Sequence, residues 1–87
     1  MKIKDGFVLK KVAGNDVVVP TGAATVDFNG MLTLNETAAF LFKKLQGGIE
    51  RDELVEALLS EYDVDEETAA EHVDKFIEKI EGAGLFE

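Results

Sequence analysis

The stretch FNGMLTLNETAAFLF, Phe28–Phe42, passes from a strand pattern to a helix pattern with almost no linker. The Asn-Gly pair near its start is a strong two-residue turn signal, and Met31–Leu34 after it is predicted to be a short strand. Asn35 is a suitable N-cap, and Glu36 places a negative charge at the positive end of the helix dipole. The stretch therefore predicts a strand held directly against the first helix.

Further strands are predicted before this stretch. Phe7–Val12 and Asp16–Pro20 are rich in Val and Leu, and Gly14-Asn15 between them suits a tight reversal, so the two segments are predicted to form a hairpin. The later segment Ala24–Phe28 forms either another short strand or an extension of the second strand beyond a bulge.

Three helices are predicted after the strands. The first is expected to end near Gln46 at a Gly-Gly pair, the second spans about Arg51–Tyr62, and the third runs from an Asp65 cap to about Glu81. The last three residues either pack back on the domain or fray. Strands followed by helices, with no repeat and no dividing linker, indicate one α+β domain over residues 1–87, of the winged helix-turn-helix type.

The charge of the chain is distributed unevenly. The net charge is −9, yet residues 1–49 carry six lysines and four acidic residues. The predicted third helix with its cap, Asp65–Glu81, holds seven acidic residues and two lysines. A DNA-reading helix needs basic residues, so this helix argues against nucleic-acid binding. The acidic residues are interpreted mainly as solvated outer faces of the helices, with the selection of a basic partner as the alternative.

The sequence offers little for catalysis. Its one serine, Ser60, and its one histidine, His72, fall on different predicted helices, and nothing in the spacing brings them together. The segment Asp63–Asp74 carries acidic residues at calcium-loop spacing but has Thr68 where such a loop needs glycine. We therefore predict no catalytic residue, no metal site and no cofactor. We interpret His72 as a partly exposed helix residue rather than a ligand or base; it adjoins the apolar stripe and could lie at the rim of a groove.

The expected location is the cytoplasm. The chain has no cysteine, which is compatible with a reducing compartment. No apolar run approaches the roughly 18–20 residues that span a bilayer, and the N-terminus has no apolar signal-peptide region. We therefore expect neither a membrane segment nor a cleaved leader.

The order of several short motifs, which covers nearly the whole chain, resembles the PqqD family. These are small proteins of pyrroloquinoline quinone biosynthesis and their relatives in peptide-natural-product clusters. The matching residues are, in order, Leu34-Asn35, Ala38, Ala39, Leu41, Gly47, Glu53, Leu54, Val55, Leu58, Tyr62–Asp65, Val73-Asp74, Phe76-Ile77 and Gly84-Leu85.

The resemblance implies a non-catalytic, peptide-binding function. In the family, the leader segment of a ribosomal precursor peptide adds as a strand to the edge of the last strand and lies against the third helix. The module then presents the peptide to a modifying enzyme, often a radical S-adenosylmethionine maturase. Strand addition suits an edge whose backbone groups are unpaired. Mapped onto this chain, the implied peptide-binding residues are Met31, Leu32, Thr33 and Leu34 at the edge, Val73, Phe76 and Ile77 in the groove wall, and Lys75 and Lys79 at its rim.

Alternatives remain open at this stage. The apolar residues of the implied site could be plain hydrophobic core. The domain could also be a protein–protein adaptor or a self-associating module without a leader peptide, and either a monomer or a homodimer fits the sequence. The long segment Thr21–Gly30 could add a strand that covers the docking edge.

Overall fold

The strands and helices follow the predicted order. The computed structural model describes residues 1–22 and 32–87. The elements are β1 (Phe7–Val12), β2 (Asn15–Pro20), β3 (Leu32–Leu34), α1 (Glu36–Gln46), α2 (Arg51–Glu61) and α3 (Glu66–Gly82). The α+β expectation is therefore confirmed. The expectations for Ala24–Phe28, for the Asn29-Gly30 turn and for Met31 lie outside the described residues.

The three strands form an antiparallel sheet in the order β1-β2-β3. The reversal between β1 and β2 is made by Ala13 and Gly14, which have φ angles of 52° and 84°. The prediction of Gly14-Asn15 was wrong by one residue, because Asn15 pairs with Val12 and belongs to β2. A two-residue turn of this kind needs positive φ at both central positions, and Gly14 supplies the second of them.

One hydrophobic core lies between the sheet and the helices. It forms because each element presents apolar side chains on one face, with a period of two in the strands and about 3.6 in the helices. Its fully buried residues include Val18 of β2, Leu41, Phe42 and Leu45 of α1, Leu54 and Leu58 of α2, and Val73 and Ile80 of α3. The core therefore fixes the three helices against the inner face of the sheet.

Side chains cap two helices at their first turn, as predicted. The Asn35 carboxamide oxygen accepts a hydrogen bond from the Ala38 N–H at 2.8 Å, and the Asp65 carboxylate accepts one from the Thr68 N–H at 2.7 Å. The latter bond lowers the pKa of Asp65. Both caps satisfy an N–H that has no partner within its helix. In the described part of the chain, no helix is both long enough and apolar enough to cross a membrane.

A bidentate ion pair links the start of α2 to the middle of α3. The Arg51 Nε and Nη2 atoms each lie 2.9 Å from a carboxylate oxygen of Asp74. These hydrogen bonds raise the pKa of Arg51 and lower that of Asp74. The planar geometry of the pair orients the two helices more than it stabilises them, because both side chains are exposed to solvent.

The C-terminus packs back on the domain. The Leu85 N–H donates to the Ile80 carbonyl at 3.1 Å and the Gly84 N–H to the Glu81 carbonyl at 3.0 Å, with Gly84 at φ 74°. This is the Schellman arrangement, which brings an apolar residue back against the last turn. Leu85 is fully buried, and its carbonyl accepts a 2.7 Å hydrogen bond from the Lys4 N–H.

The N-terminal segment packs against the C-terminal end of α1. The Ile3 N–H donates to the carbonyl of Leu45 at 3.1 Å, and the Ile49 N–H donates to the Met1 carbonyl at 2.9 Å. Ile3 is buried in the core. The segment thus satisfies a C-terminal carbonyl of α1 and ties both chain ends to the same part of the fold.

We predict that Ala13→Asn stabilises the protein by about 0.5–1 kcal/mol, because asparagine tolerates positive φ better than alanine does. The matched change Gly14→Ala should destabilise it by about 1–2 kcal/mol. No atom lies within 4 Å of a β-carbon placed at Gly14, so this penalty comes from the backbone alone. Urea unfolding measures both changes. A loss of stability in Ala13→Asn would contradict the turn geometry.

We predict that Leu85→Ala lowers the free energy of unfolding by about 2–4 kcal/mol, because it leaves a cavity at a fully buried position. Phe86→Ala should have a smaller effect, since Phe86 is only half-buried. Thermal unfolding of the two variants measures the difference. Equal and small effects would mean that the C-terminus does not pack as described.

Candidate functional site

The hydrogen-bond phase of the hairpin determines which backbone groups the sheet presents at its edge. In an antiparallel pair, facing residues exchange both hydrogen bonds only at every second position. The Thr21 N–H donates to the Gly6 carbonyl at 2.6 Å, which marks this pair as a bonded one. Counting in steps of two residues from this pair, Val17 also bonds to β1. Its neighbours Asp16 and Val18 therefore direct their backbone groups to β3.

Thr33 is the residue of β3 whose backbone groups point away from the sheet. It lies opposite Val17, whereas its two neighbours in β3 lie opposite Val18 and Asp16 and bond to them. The Thr33 N–H and carbonyl are therefore directed to the outer side of β3. No described residue pairs with that side of the strand. The edge is consequently able to accept a further strand.

A depression of about 250 Å³ lies between the start of α1 and the middle of α3. Its lining residues are Asn35, Thr37, Ala38, Leu41, His72, Lys75, Phe76 and Lys79. Asn35 directly follows β3, so the depression begins where the edge strand ends. Leu41 and Phe76 are 1% and 5% exposed, respectively, and they contribute an apolar floor that rests on the core.

The basic residues of α3 all line this depression. His72, Lys75 and Lys79 are spaced by three and four residues, which places them on one face of the helix. The Lys75 Nζ atom lies 2.9 Å from a Glu71 carboxylate oxygen, and this hydrogen bond raises the pKa of Lys75 and lowers that of Glu71. Among the described residues, no carboxylate lies at ion-pair distance from Lys79. The rim therefore carries positive charge within an acidic helix.

The structure brings most of the predicted site residues together. Leu32, Thr33 and Leu34 form β3, and Lys75, Phe76 and Lys79 line the depression beyond it. Val73 is fully buried and packs in the core, so it supports the wall from behind and presents no surface to a ligand. Ile77 is half-buried against the core and does not line the depression. Met31 lies outside the described residues.

The sequence interpretation missed the contribution of α1. It assigned the groove wall to α3 alone, whereas Asn35, Thr37, Ala38 and Leu41 line the depression as well. The missing linker between β3 and α1 was the available signal, because a helix that starts directly after an edge strand must place its first turn beside it. His72 is an exposed residue of α3 and lines the depression.

The structure assembles no catalytic pair from the two residues considered in the sequence. His72 lines the depression beside β3, whereas Ser60 lines a different one, on α2, with Ile49, Asp52, Glu53, Glu56 and Ala57. These two linings share no residue. Within residues 1–22 and 32–87, no group of three or more potential metal-ligating side chains is present.

Comparisons with known proteins agree with this architecture. The family model described as coenzyme PQQ synthesis protein D (PqqD) matches residues 11–85, which include β3 and the described residues that line the depression. No curated protein matches the chain in sequence.

Two solved structures share the fold. One is described as TbiB1 in complex with the TbiA(beta) leader peptide; it is 23% identical with a TM-score of 0.76, over 100% of this chain and 95% of the other. The other is lasso peptide synthetase B1 complexed with the leader peptide; it is 18% identical with a TM-score of 0.72, over 97% of this chain and 93% of the other.

We predict that the Thr33 N–H exchanges with solvent faster than the N–H groups of Leu32 and Leu34. The two leucine groups bond to β2, whereas that of Thr33 points outward. Hydrogen exchange followed by NMR measures the three rates. Strong protection of Thr33 in the free monomer would instead show that another segment of the chain, such as Thr21–Gly30, occupies the edge.

Proposed function

Because the chain belongs to the PqqD family, we propose that it is a non-catalytic module that binds the leader segment of a ribosomally synthesised precursor peptide. In this proposal, it presents the peptide to a modifying enzyme of the radical S-adenosylmethionine type. The observation that carries the proposal is the open edge of β3 at Thr33, which runs directly into the depression between α1 and α3.

The backbone of the peptide is held by strand addition. An extended peptide beside β3 exchanges two hydrogen bonds with Thr33, the one residue of β3 that directs both backbone groups outward. Each such bond contributes only about 0.5–1.5 kcal/mol, because the groups are hydrogen-bonded to water before binding. Backbone pairing therefore sets the position of the peptide, and most of the affinity and the selectivity has to come from side chains.

The side chains of the peptide are read by the depression. Along an added strand, every second side chain faces the same way. Those on the inner side meet the apolar floor formed by Leu41 and Phe76 and the basic rim formed by Lys75 and Lys79. The depression is small and shallow, so it suits individual side chains of an extended segment rather than a folded partner.

The two solved neighbours support the proposal, since both are described as complexes with a leader peptide. Binding of this kind needs no cofactor. We place the activity in the cytoplasm, where precursor peptides leave the ribosome. The modifying enzyme then acts on the core segment of the peptide while this module holds the leader.

We predict that leader peptides translated from the short reading frames beside the gene bind at β3. In a titration of the ¹⁵N-labelled protein, the shift changes should concentrate at Leu32–Leu34 and at Lys75–Lys79. Thr33→Pro should abolish the binding, because it removes the outward N–H. It should leave the helix content intact, because that N–H takes no part in the β2–β3 ladder.

The control is Thr33→Val, which keeps the backbone N–H and a β-branched side chain and should bind as the wild type does. Circular dichroism checks that both variants fold. Normal binding by a folded Thr33→Pro would refute the docking edge. If no peptide binds and ultracentrifugation shows a stable dimer that Thr33→Pro dissociates, the edge serves self-association instead.

A further inference from the structure

The charged side chains that line the depression are basic, whereas the protein as a whole is acidic. The chain has eighteen acidic residues against nine Lys and Arg, and six of the acidic residues lie in α3. Even so, the part of the lining that the described residues form contains two lysines and one histidine and no carboxylate. The depression on α2 shows the contrast, because Asp52, Glu53 and Glu56 line it. The basic side chains that described residues contribute to the first depression, without an acidic one among them, suit an anionic group in its ligand.

Glu36 of α1 and Glu71 of α3 both lie beside groups other than the depression's ligand. Glu36 lies one helical turn before Phe40, whose ring packs on Tyr62 with the centroids 5.6 Å apart, so Glu36 shares the face of α1 that meets Tyr62. Glu71 is paired with Lys75, and neither residue is shielded from solvent, so the pair is weak and an incoming carboxylate can displace Glu71. Lys79 needs no such exchange, since no carboxylate among the described residues lies at ion-pair distance from it.

The spacing of the two lysines matches that of an extended strand. Lys75 and Lys79 are four residues apart on α3, which corresponds to about 6 Å along the helix axis. Side chains at positions i and i+2 of an extended peptide are about 6.6 Å apart and face the same way. Phe76 is the residue next to Lys75 on α3 and lines the same depression, so a peptide side chain two positions from the one at Lys79 reaches the end of the lining where Phe76 offers an apolar surface.

We propose that this site selects leader segments in which an acidic residue faces Lys79 and an apolar residue two positions away covers Phe76. The inference rests on the proposed function, because it requires an extended peptide at β3. It adds a chemical class for the ligand: an acidic, amphipathic strand rather than any extended peptide. Lys79 is the main contact for the carboxylate, and Lys75 contributes once Glu71 is displaced.

The test uses the full chain and the leader peptides from the adjoining reading frames. Each peptide is made in its native form and in a form with Asp and Glu replaced by Asn and Gln, and binding is followed by fluorescence anisotropy. The protein variants are Lys79→Gln, Lys75→Gln and Glu71→Gln. Lys10→Gln is the matched control, because Lys10 is an exposed lysine of β1 far from the depression.

We predict that Lys79→Gln weakens the binding of the native peptide about threefold to fivefold, the upper range for an exposed ion pair. Lys75→Gln should weaken it less, about twofold, because Lys75 already has a partner. Glu71→Gln should tighten binding, since it releases Lys75. Lys10→Gln should change nothing. Lys79→Gln should not weaken the binding of the neutral peptide further, because the carboxylate that Lys79 contacts is already replaced. Both effects on binding should diminish at high salt.

The outcomes separate the two proposals. If all lysine variants bind native and neutral peptides equally while Thr33→Pro still abolishes binding, the charge selection is refuted and the docking edge stands. If Glu71→Gln weakens binding as much as Lys75→Gln does, the competition between Glu71 and the ligand is refuted. If the wild type binds no peptide from any adjoining reading frame, both the proposed function and this inference fail.

Discussion

The two-residue reversal at Ala13 and Gly14 sets the register on which the sheet depends. Side chains and backbone groups both alternate in direction along a strand. The same register therefore turns the Val18 side chain into the core and the Thr33 backbone N–H and carbonyl outward. A slip by one residue would move Val18 out of the core and turn the outward groups of β3 toward β2. The stability of the core and the availability of the edge therefore follow from a single turn.

The direct passage from β3 into α1 makes the candidate site largely preformed. The Asn35 cap fixes the first turn of α1 against the end of the strand. The far end of α1 is held by Ile3 of the N-terminal segment, and Leu85 pairs with that segment through Lys4. Both chain ends thus hold α1 in place from outside the site. A site that needs little ordering on binding loses less conformational entropy, so a shallow depression can still bind a peptide.

Local charge matters more at this site than net charge. The protein carries −9, which at long range disfavours an acidic peptide. At physiological salt, such long-range repulsion is screened beyond about 8 Å, whereas Lys75 and Lys79 lie within direct contact distance of a ligand in the depression. In the proposed binding mode, the basic rim therefore has more influence on which side chain is accepted than the acidic outer faces have.

The helices and strands could be predicted from the sequence, because helix caps, apolar periodicity and terminal glycines act over only a few residues. Asn35 and Asp65 marked two helix starts, and the segment from Met31 to Leu34 indicated the last strand. The sequence could not decide which two residues form the first turn, since Gly14 fits both Ala13-Gly14 and Gly14-Asn15. Nor could it separate Val73 from Phe76, because one apolar face serves both the core and the depression. The tertiary structure separates these two residues, because burial depends on which distant elements pack against a helix face. Periodicity depends only on residues nearby in the chain.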